Sequence, residues 1–296
     1  MKSILTKTTL AMVCLVLGLA SCKKEGCTDE NALNYNEKAK KDNGTCEYPV
    51  QEDTLKVVTT LTNSTHTIDL LTIDGTLKTG YNNVYFRIKN ASGNLVTNAT
   101  ATWLPTMHMT SMSHSCPFST ISSSSGLYKG YIVFQMATNA SEYWDLKIDY
   151  QIDGTSYSAT KDILVTESSK RVVNSVLGSD GIKYVVALVE PKKPSVGTNT
   201  MKAVIFKMMS MQGFVPVSNY TLKIDPRMPG MGNHSSPNNV HLTQLSDAFY
   251  AGSINLTMTG YWRVNLQLVN DTGTTVKGEE VTGSVTESSL YFEIEF

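Results

Sequence analysis

One set of short motifs occurs twice in this chain, in the same order, and that duplication limits the possible folds more than any other feature. His114-Ser115-Cys116-Pro117 returns as His234-Ser235-Ser236-Pro237, and Tyr128-x-Gly130-x-Ile132-x-Phe134-x-Met136 as Tyr250-x-Gly252-x-Ile254-x-Leu256-x-Met258. Tyr143-Trp144 returns as Tyr261-Trp262, Thr166-Glu167-Ser168-Ser169 as Thr286-Glu287-Ser288-Ser289, and Gly80-x-Asn82 as Gly197-x-Asn199. The offsets stay between 117 and 122 residues. That period is too long for a solenoid repeat, so the chain holds two copies of one domain rather than an array.

Hydrophobic periodicity says what the copies are. Leu146, Ile148, Tyr150 and Ile152 alternate with Lys147, Asp149 and Gln151, the period of two that puts apolar and polar side chains on opposite faces of a strand. The alternation recurs at Ile254, Leu256 and Met258, at Val264, Leu266 and Leu268, and at Phe292, Ile294 and Phe296. No segment after the N-terminal leader keeps a helical period. Many short strands with turn signals between them predict an all-β chain of two antiparallel β-sandwiches. Composition agrees: only 17% of the 296 residues are charged, which excludes a coiled coil or charged bundle. With 25 basic and 26 acidic residues there is no electrostatic footprint for nucleic acid.

The N-terminus carries a different message. Lys2 and Lys7 precede an apolar run from Leu10 to Ala20, too short to span a bilayer but suited to a signal-peptide core. Leu19-Ala20-Ser21-Cys22 resembles the bacterial lipobox, in which small residues lead into a Cys that is lipidated and becomes the new N-terminus. The resemblance implies removal of residues 1–21, a lipid anchor at Cys22, and an exported protein held to the cell envelope, on the periplasmic or surface face of the outer membrane, by lipid alone. In an oxidising compartment Cys27 and Cys46 are expected to pair. A ring of that size contributes about 3 kcal/mol through chain entropy. Cys14 leaves with the leader and Cys116 is left over.

Between the paired cysteines, Cys27-Thr28-Asp29-Glu30-Asn31-Ala32-Leu33-Asn34-Tyr35-Asn36 and Asp42-Asn43-Gly44-Thr45-Cys46 resemble a Cys-bounded module of surface and secreted proteins of Bacteroidetes-type bacteria. Its Asp and Asn oxygens would suit calcium, but the same residues serve turns and caps, and a stapled spacer is the expected role. The expected organisation is a leader at 1–21, a lipidated tether at 22–52, and sandwiches at 53–169 and 170–296.

Both copies place their most distinctive chemistry at the same point. The first reads Pro105-Thr106-Met107-His108-Met109-Thr110-Ser111-Met112-Ser113-His114-Ser115-Cys116-Pro117, and the second Pro226-Arg227-Met228-Pro229-Gly230-Met231-Gly232-Asn233-His234-Ser235-Ser236-Pro237. Pro, Gly and Ser in these stretches favour loops. Thioether and imidazole together suit copper, Cu(I) above all, whereas zinc takes Cys, His and carboxylate. The candidate metal ligands are Met107, Met109, Met112, His114 and Cys116 in the first copy, and Met228, Met231 and His234 in the second. Ser236 replaces Cys116 in the second copy, so a thiolate is no common requirement. Met208-Met209-x-Met211 precedes Gly213 at an expected hairpin and reads as core filler. His66 and His241 receive no role.

These loops resemble those of the YtkA-like domain, a relative of FixH, through Pro226, Met228, Pro229, Met231, Gly232, His234 and Pro237. The first copy lacks the glycines and the second proline. The resemblance covers about 100 residues per copy and implies an Ig-like sandwich and periplasmic copper handling. No Gly-x-Ser-x-Gly elbow, His-Glu-x-x-His helix, phosphate loop or dinucleotide fingerprint is present, so no enzyme is expected. The expected function is copper capture or delivery by an envelope lipoprotein, with a metal ion, the membrane and an envelope protein as partners. The competing expectation is a metal-free tandem Ig-like module serving adhesion, as a scaffold or as an accessory.

Overall fold

The computed structural model describes residues 24–32, 35–42, 46, 48 and 52–296. The leader and Cys22 therefore lie outside the described residues. Among the described residues there is no α-helix, and none is long and apolar enough to cross a membrane. The chain forms two compact units, 1–49 and 50–296.

In the N-terminal unit Cys27 and Cys46 form the expected disulfide, and Glu25–Gly26 pairs in parallel with Lys41–Asp42. The oxygens of Asp29 are committed to local structure. Oδ1 accepts hydrogen bonds from Asn31 N at 2.9 Å and Asn31 Nδ2 at 3.1 Å, and Oδ2 accepts one from the Tyr48 hydroxyl at 2.6 Å. The Tyr48 bond, ahead of those from Asn31, holds the Asp29 carboxyl below its ordinary range. This is the turn-forming use of Asp.

The larger unit holds two antiparallel sandwiches. The first contains β1 (Lys56–Thr62), β2 (His66–Thr72), β3 (Gly80–Asn90), β4 (Thr100–His108), β5 (Ser113–His114), β6 (Ser122–Ser124), β7 (Leu127–Phe134), β8 (Tyr143–Ile152) and β9 (Thr155–Ile163). Its two sheets run β1-β2-β3-β7-β6 and β9-β8-β4-β5. The second contains β10 (Val173–Leu177), β11 (Lys183–Glu190), β12 (Gly197–Met208), β13 (Phe214–Pro216), β14 (Thr221–Met228), β15 (His234–Ser235), β16 (Val240–Ser246), β17 (Phe249–Leu256), β18 (Tyr261–Val269), β19 (Thr275–Lys277) and β20 (Tyr291–Glu295). Most of its strands follow one path, β10-β11-β12-β17-β16-β14-β18-β19, with β13 paired to β12, β15 to β14 and β20 to β18 off that path. Here β16 pairs with both β17 and β14, and bulges at Val240/Thr243 and Gln244/Ser246 let it turn from one face to the other. In the first copy the corresponding strand, β6, is only three residues long and pairs with β7 alone, so the two faces stay separate.

The alternation read from the sequence is the packing. Trp144, Leu146, Ile148 and Tyr150 of β8 join the first core, and Trp262, Val264, Leu266 and Leu268 of β18 the second. The repeated residues also make repeated bonds. Asn82 Nδ2 donates to Lys78 O and Gly80 O while its Oδ1 accepts from Lys78 N; Asn199 does the same with Ser195 and Gly197. Trp144 Nε1 donates to Met136 O, and Trp262 Nε1 to Met258 O, each at 3.0 Å.

A third apolar cluster joins the two sandwiches. Tyr131 and Val133 of β7 pack with Val185 and Ala187 of β11, Val204 and Phe206 of β12, and Ala248, with Tyr81, Phe214 and Phe249 at its margin. The neighbouring residues Ile132, Phe134, Val186, Ala203 and Ile205 face the sandwich cores. These strand segments are buried on both faces, which is why Tyr131-Ile132-Val133-Phe134 and Ala203-Val204-Ile205-Phe206 are continuous apolar runs.

The repeated glycine marks a close approach. A Cβ at Gly252 would strike the backbone carbonyl oxygens of Val240 and His241, which belong to the corner strand β16, whereas a Cβ at Gly230 would meet nothing within 4 Å. Backbone atoms cannot swing away, so Gly252→Ala is expected to destabilise the chain by about 2 kcal/mol through overpacking. Gly230→Ala should leave the thermal midpoint within error. Equal midpoints for the two variants would refute this account.

Candidate metal site at the sandwich ends

The site begins with where the methionines fall. Met107 lies in β4 and Met228 ends β14; neither is in a loop, and both are buried in their sandwich cores. The loop expectation was wrong for these two because the proline in each run sits inside a strand: Leu222, Ile224, Pro226 and Met228 are buried in alternation with Lys223, Asp225 and Arg227. Cys116 is also buried in the first core. Burial pushes its thiol well above the ordinary range, so it is a neutral packing group rather than the accessible thiolate a soft metal takes. In the second copy its counterpart Ser236 donates its hydroxyl to Asn255 O instead.

The remaining candidates stay near the surface. Met109 N donates to Met112 O at 2.9 Å, closing a tight hairpin; Met109 is half-buried against the first core, while Met112 is 50% exposed. In the second copy Pro229–Met231 forms a 3-10 turn ended by Gly232 in the left-handed region. It presents Met231 at 59% exposure, and His234 is exposed as well.

Strand register places the two histidines opposite the buried methionines. Trp144 pairs with Met107, and Met107 with His114, across β8, β4 and β5. Directly opposed residues project from the same face, so Trp, Met and His form one row. The His114 ring stands edge-on to the Trp144 ring, with centroids 5.7 Å apart and planes at 87°. In the second copy Met228 pairs with His234, and the Met228 Cε lies 3.1 Å from the position a Gly260 Cβ would occupy, in the turn leading to Trp262. Met136 and Met258, whose carbonyls hold the tryptophans, belong to the same ends. They are absent from the candidate ligands read from sequence, although the motif Tyr-x-Gly-x-Ile-x-x-x-Met, repeated in both copies, contains them.

His114 is oriented as a ligand would be. Its Nδ1 lies 2.7 Å from Ser115 O. A carbonyl only accepts, so Nδ1 carries the proton and, in the neutral ring, Nε2 keeps its lone pair. Fixing one imidazole nitrogen on a backbone carbonyl is the usual support for metal ligation through the other. His108 differs: its Nε2 lies 2.8 Å from Asp145 Oδ2, and its ring stacks on Tyr143. His241 Nδ1 accepts from Ile224 N at 3.2 Å, and burial, followed by Lys223, lowers its pKa. His66 packs edge-on against Tyr150 and Tyr157. Among the described residues no group of three or more His, Cys, Asp or Glu could hold a metal ion. The donor set fits a soft monovalent ion: imidazole and thioether, with no carboxylate.

Burial makes a direct prediction for Cys116. An aromatic disulfide reagent should not label the folded chain at this position, and labelling should rise together with unfolding as denaturant is added. Rapid labelling of the native chain would contradict the described packing.

No curated protein matches this chain in sequence. Its fold is similar to that of FdeC, an Escherichia coli adhesin, at 13% identity and a TM-score of 0.23, covering 77% of this chain and 63% of that one. A chimeric titin Z1Z2 tandem carrying a fibronectin peptide has 15% identity and a TM-score of 0.17, with coverage of 75% and 95%. The titin Z1Z2 domains in complex with telethonin have 12% identity and a TM-score of 0.17, with coverage of 64% and 82%. Likeness at this level says nothing about function. Residues 181–267, from β11 into β18 of the second sandwich, match the YtkA-like family.

Proposed function

We propose that this chain is an exported envelope lipoprotein, anchored through Cys22, that binds Cu(I) at the Met/His end of each sandwich and holds it for capture or delivery to an envelope partner. The observation that carries the reading is His114: its Nδ1 proton is fixed on Ser115 O, its ring lies beside Trp144, and it is directly opposite Met107. The YtkA-like segment supports an envelope accessory role for the second sandwich. The ligands would be His114 with Met109 and Met112 in the first copy, and His234 with Met231 in the second. Met107 and Met228 lie beneath them, in the same rows. The protein's part is to offer soft, uncharged donors, which bind harder ions poorly.

A second reading is favoured by one specific observation. Met107 and Met228 are packed in the sandwich cores, as methionines that only fill space would be. On that reading the chain is a metal-free tandem Ig-like module serving adhesion, as a scaffold or as an accessory.

Titration of the intact chain with Cu(I) under reducing conditions separates the two readings. The copper reading expects about two equivalents per chain, set by the two soft donor sets. Replacing Met228, Met231 and His234 together should remove one of them while thermal unfolding still shows a folded chain. An unaltered stoichiometry in that variant would sink the copper reading and leave the metal-free module.

A further inference from the structure

The cluster Met208-Met209-Ser210-Met211, read from sequence as core filler, is not in a core. Met209 is 65% exposed and Met211 38%. They form the turn between β12 and β13, closed by bonds from Met209 N and Ser210 N to Gly213 O. The turn belongs to the second sandwich but reaches the metal end of the first: Met211 O accepts a hydrogen bond from Ser115 N at 2.8 Å, next to His114. Both legs of the hairpin are anchored, because Phe206 on one and Phe214 on the other pack in the cluster that joins the sandwiches.

Docking alone does not account for the residue type. The bond to Ser115 uses a backbone carbonyl, which any residue at 211 would supply, and side chains chosen for apolar packing would be covered. The first sandwich provides an internal comparison. Its corresponding turn, Asn90-Ala91-Ser92-Gly93-Asn94 between β3 and the Lys89–Leu95 bridge, contains no methionine. Thioethers therefore occur on the copy of the turn that meets a His/Met end. An unbranched Met side chain with three rotatable bonds can redirect its sulfur without moving the backbone.

We infer that the Met209–Met211 turn of the second sandwich supplies thioether ligands for Cu(I) to the His114 end of the first, making the first site a composite one that spans the junction. This rests on the Cu(I) reading above and assigns the two sites different strengths. The first draws on His114, Met109 and Met112 together with Met209 and Met211. The second has only the donors of its own sandwich.

The test uses the intact chain and Cu(I) itself, in competition with chromogenic Cu(I) chelators of graded affinity. Met209→Leu/Met211→Leu replaces exposed side chains with ones of similar volume, so an unchanged thermal midpoint is expected. The tighter of the two equivalents should weaken by about tenfold or more, the scale on which a supporting group of a metal site acts. The weaker equivalent should not move. His114→Ala should remove the same tight equivalent, and X-ray absorption should show fewer sulfur scatterers per copper in the double Leu variant. Two equivalents in the wild-type chain with both affinities and the sulfur count unchanged in the Leu variant would overturn the composite site alone. A wild-type chain that takes up no Cu(I) would overturn both this inference and the reading beneath it.

Discussion

Burial of Tyr131 and Val133 against Val204 and Phe206 is the contact on which the rest of the larger unit depends. It gives β7 and β12 apolar work on both faces, one toward a sandwich core and one toward the other sandwich. A charged residue at any of these positions would be desolvated without a partner, so neither face can be polar. The contact also removes freedom from what hangs on it. The β12–β13 turn leaves the cluster at Phe206 and returns to it at Phe214, and so Met211 meets Ser115 as a consequence of packing elsewhere. A joint between the two sandwiches thus places a turn of one beside the His114 end of the other.

The copies keep the bonds that build a sandwich and differ where those bonds end. Asn82 and Asn199 make the same three hydrogen bonds, and Trp144 and Trp262 the same indole bond. Each satisfies backbone groups that would otherwise be left unpaired in a partly buried place, which makes them expensive to change. At the ends the demands are looser. A Met-Thr-Ser-Met hairpin in one copy is a Pro-Gly-Met 3-10 turn in the other, and a buried thiol at 116 becomes a hydrogen-bonded hydroxyl at 236.

The sequence showed the strands wherever one face was wet, because alternation is the trace of a half-buried sheet. It also showed the duplication and the disulfide. It misled in three places, each for a physical reason. The prolines at 105 and 226 hid the strands that carry Met107 and Met228, although Leu222, Ile224, Pro226 and Met228 keep the period of two. The junction between the sandwiches left only uninterrupted apolar runs such as Tyr131–Phe134, which do not say which neighbour covers the second face. The exposure of Met209 and Met211 could not be read at all, since local sequence does not distinguish a methionine that fills a gap from one displayed at a junction. The Trp144–Met107–His114 row was half visible: the motifs named the residues, but only register placed them on one face.

On the proposed Cu(I) reading, the absence of charge from the candidate donor set would itself be selective. The cost of moving an ion from water into a poorly polarisable site grows as the square of its charge, so a monovalent ion pays about a quarter of the penalty of a divalent ion of equal size. Carboxylates would offset that penalty for calcium, magnesium or zinc, but none belongs to the proposed ligand sets at His114 or His234. Thioether sulfur gives hard ions little in return, while it bonds well to a soft one. On the proposed Cu(I) reading, partner choice would depend on polarisability and on the placement of a few side chains rather than on net charge.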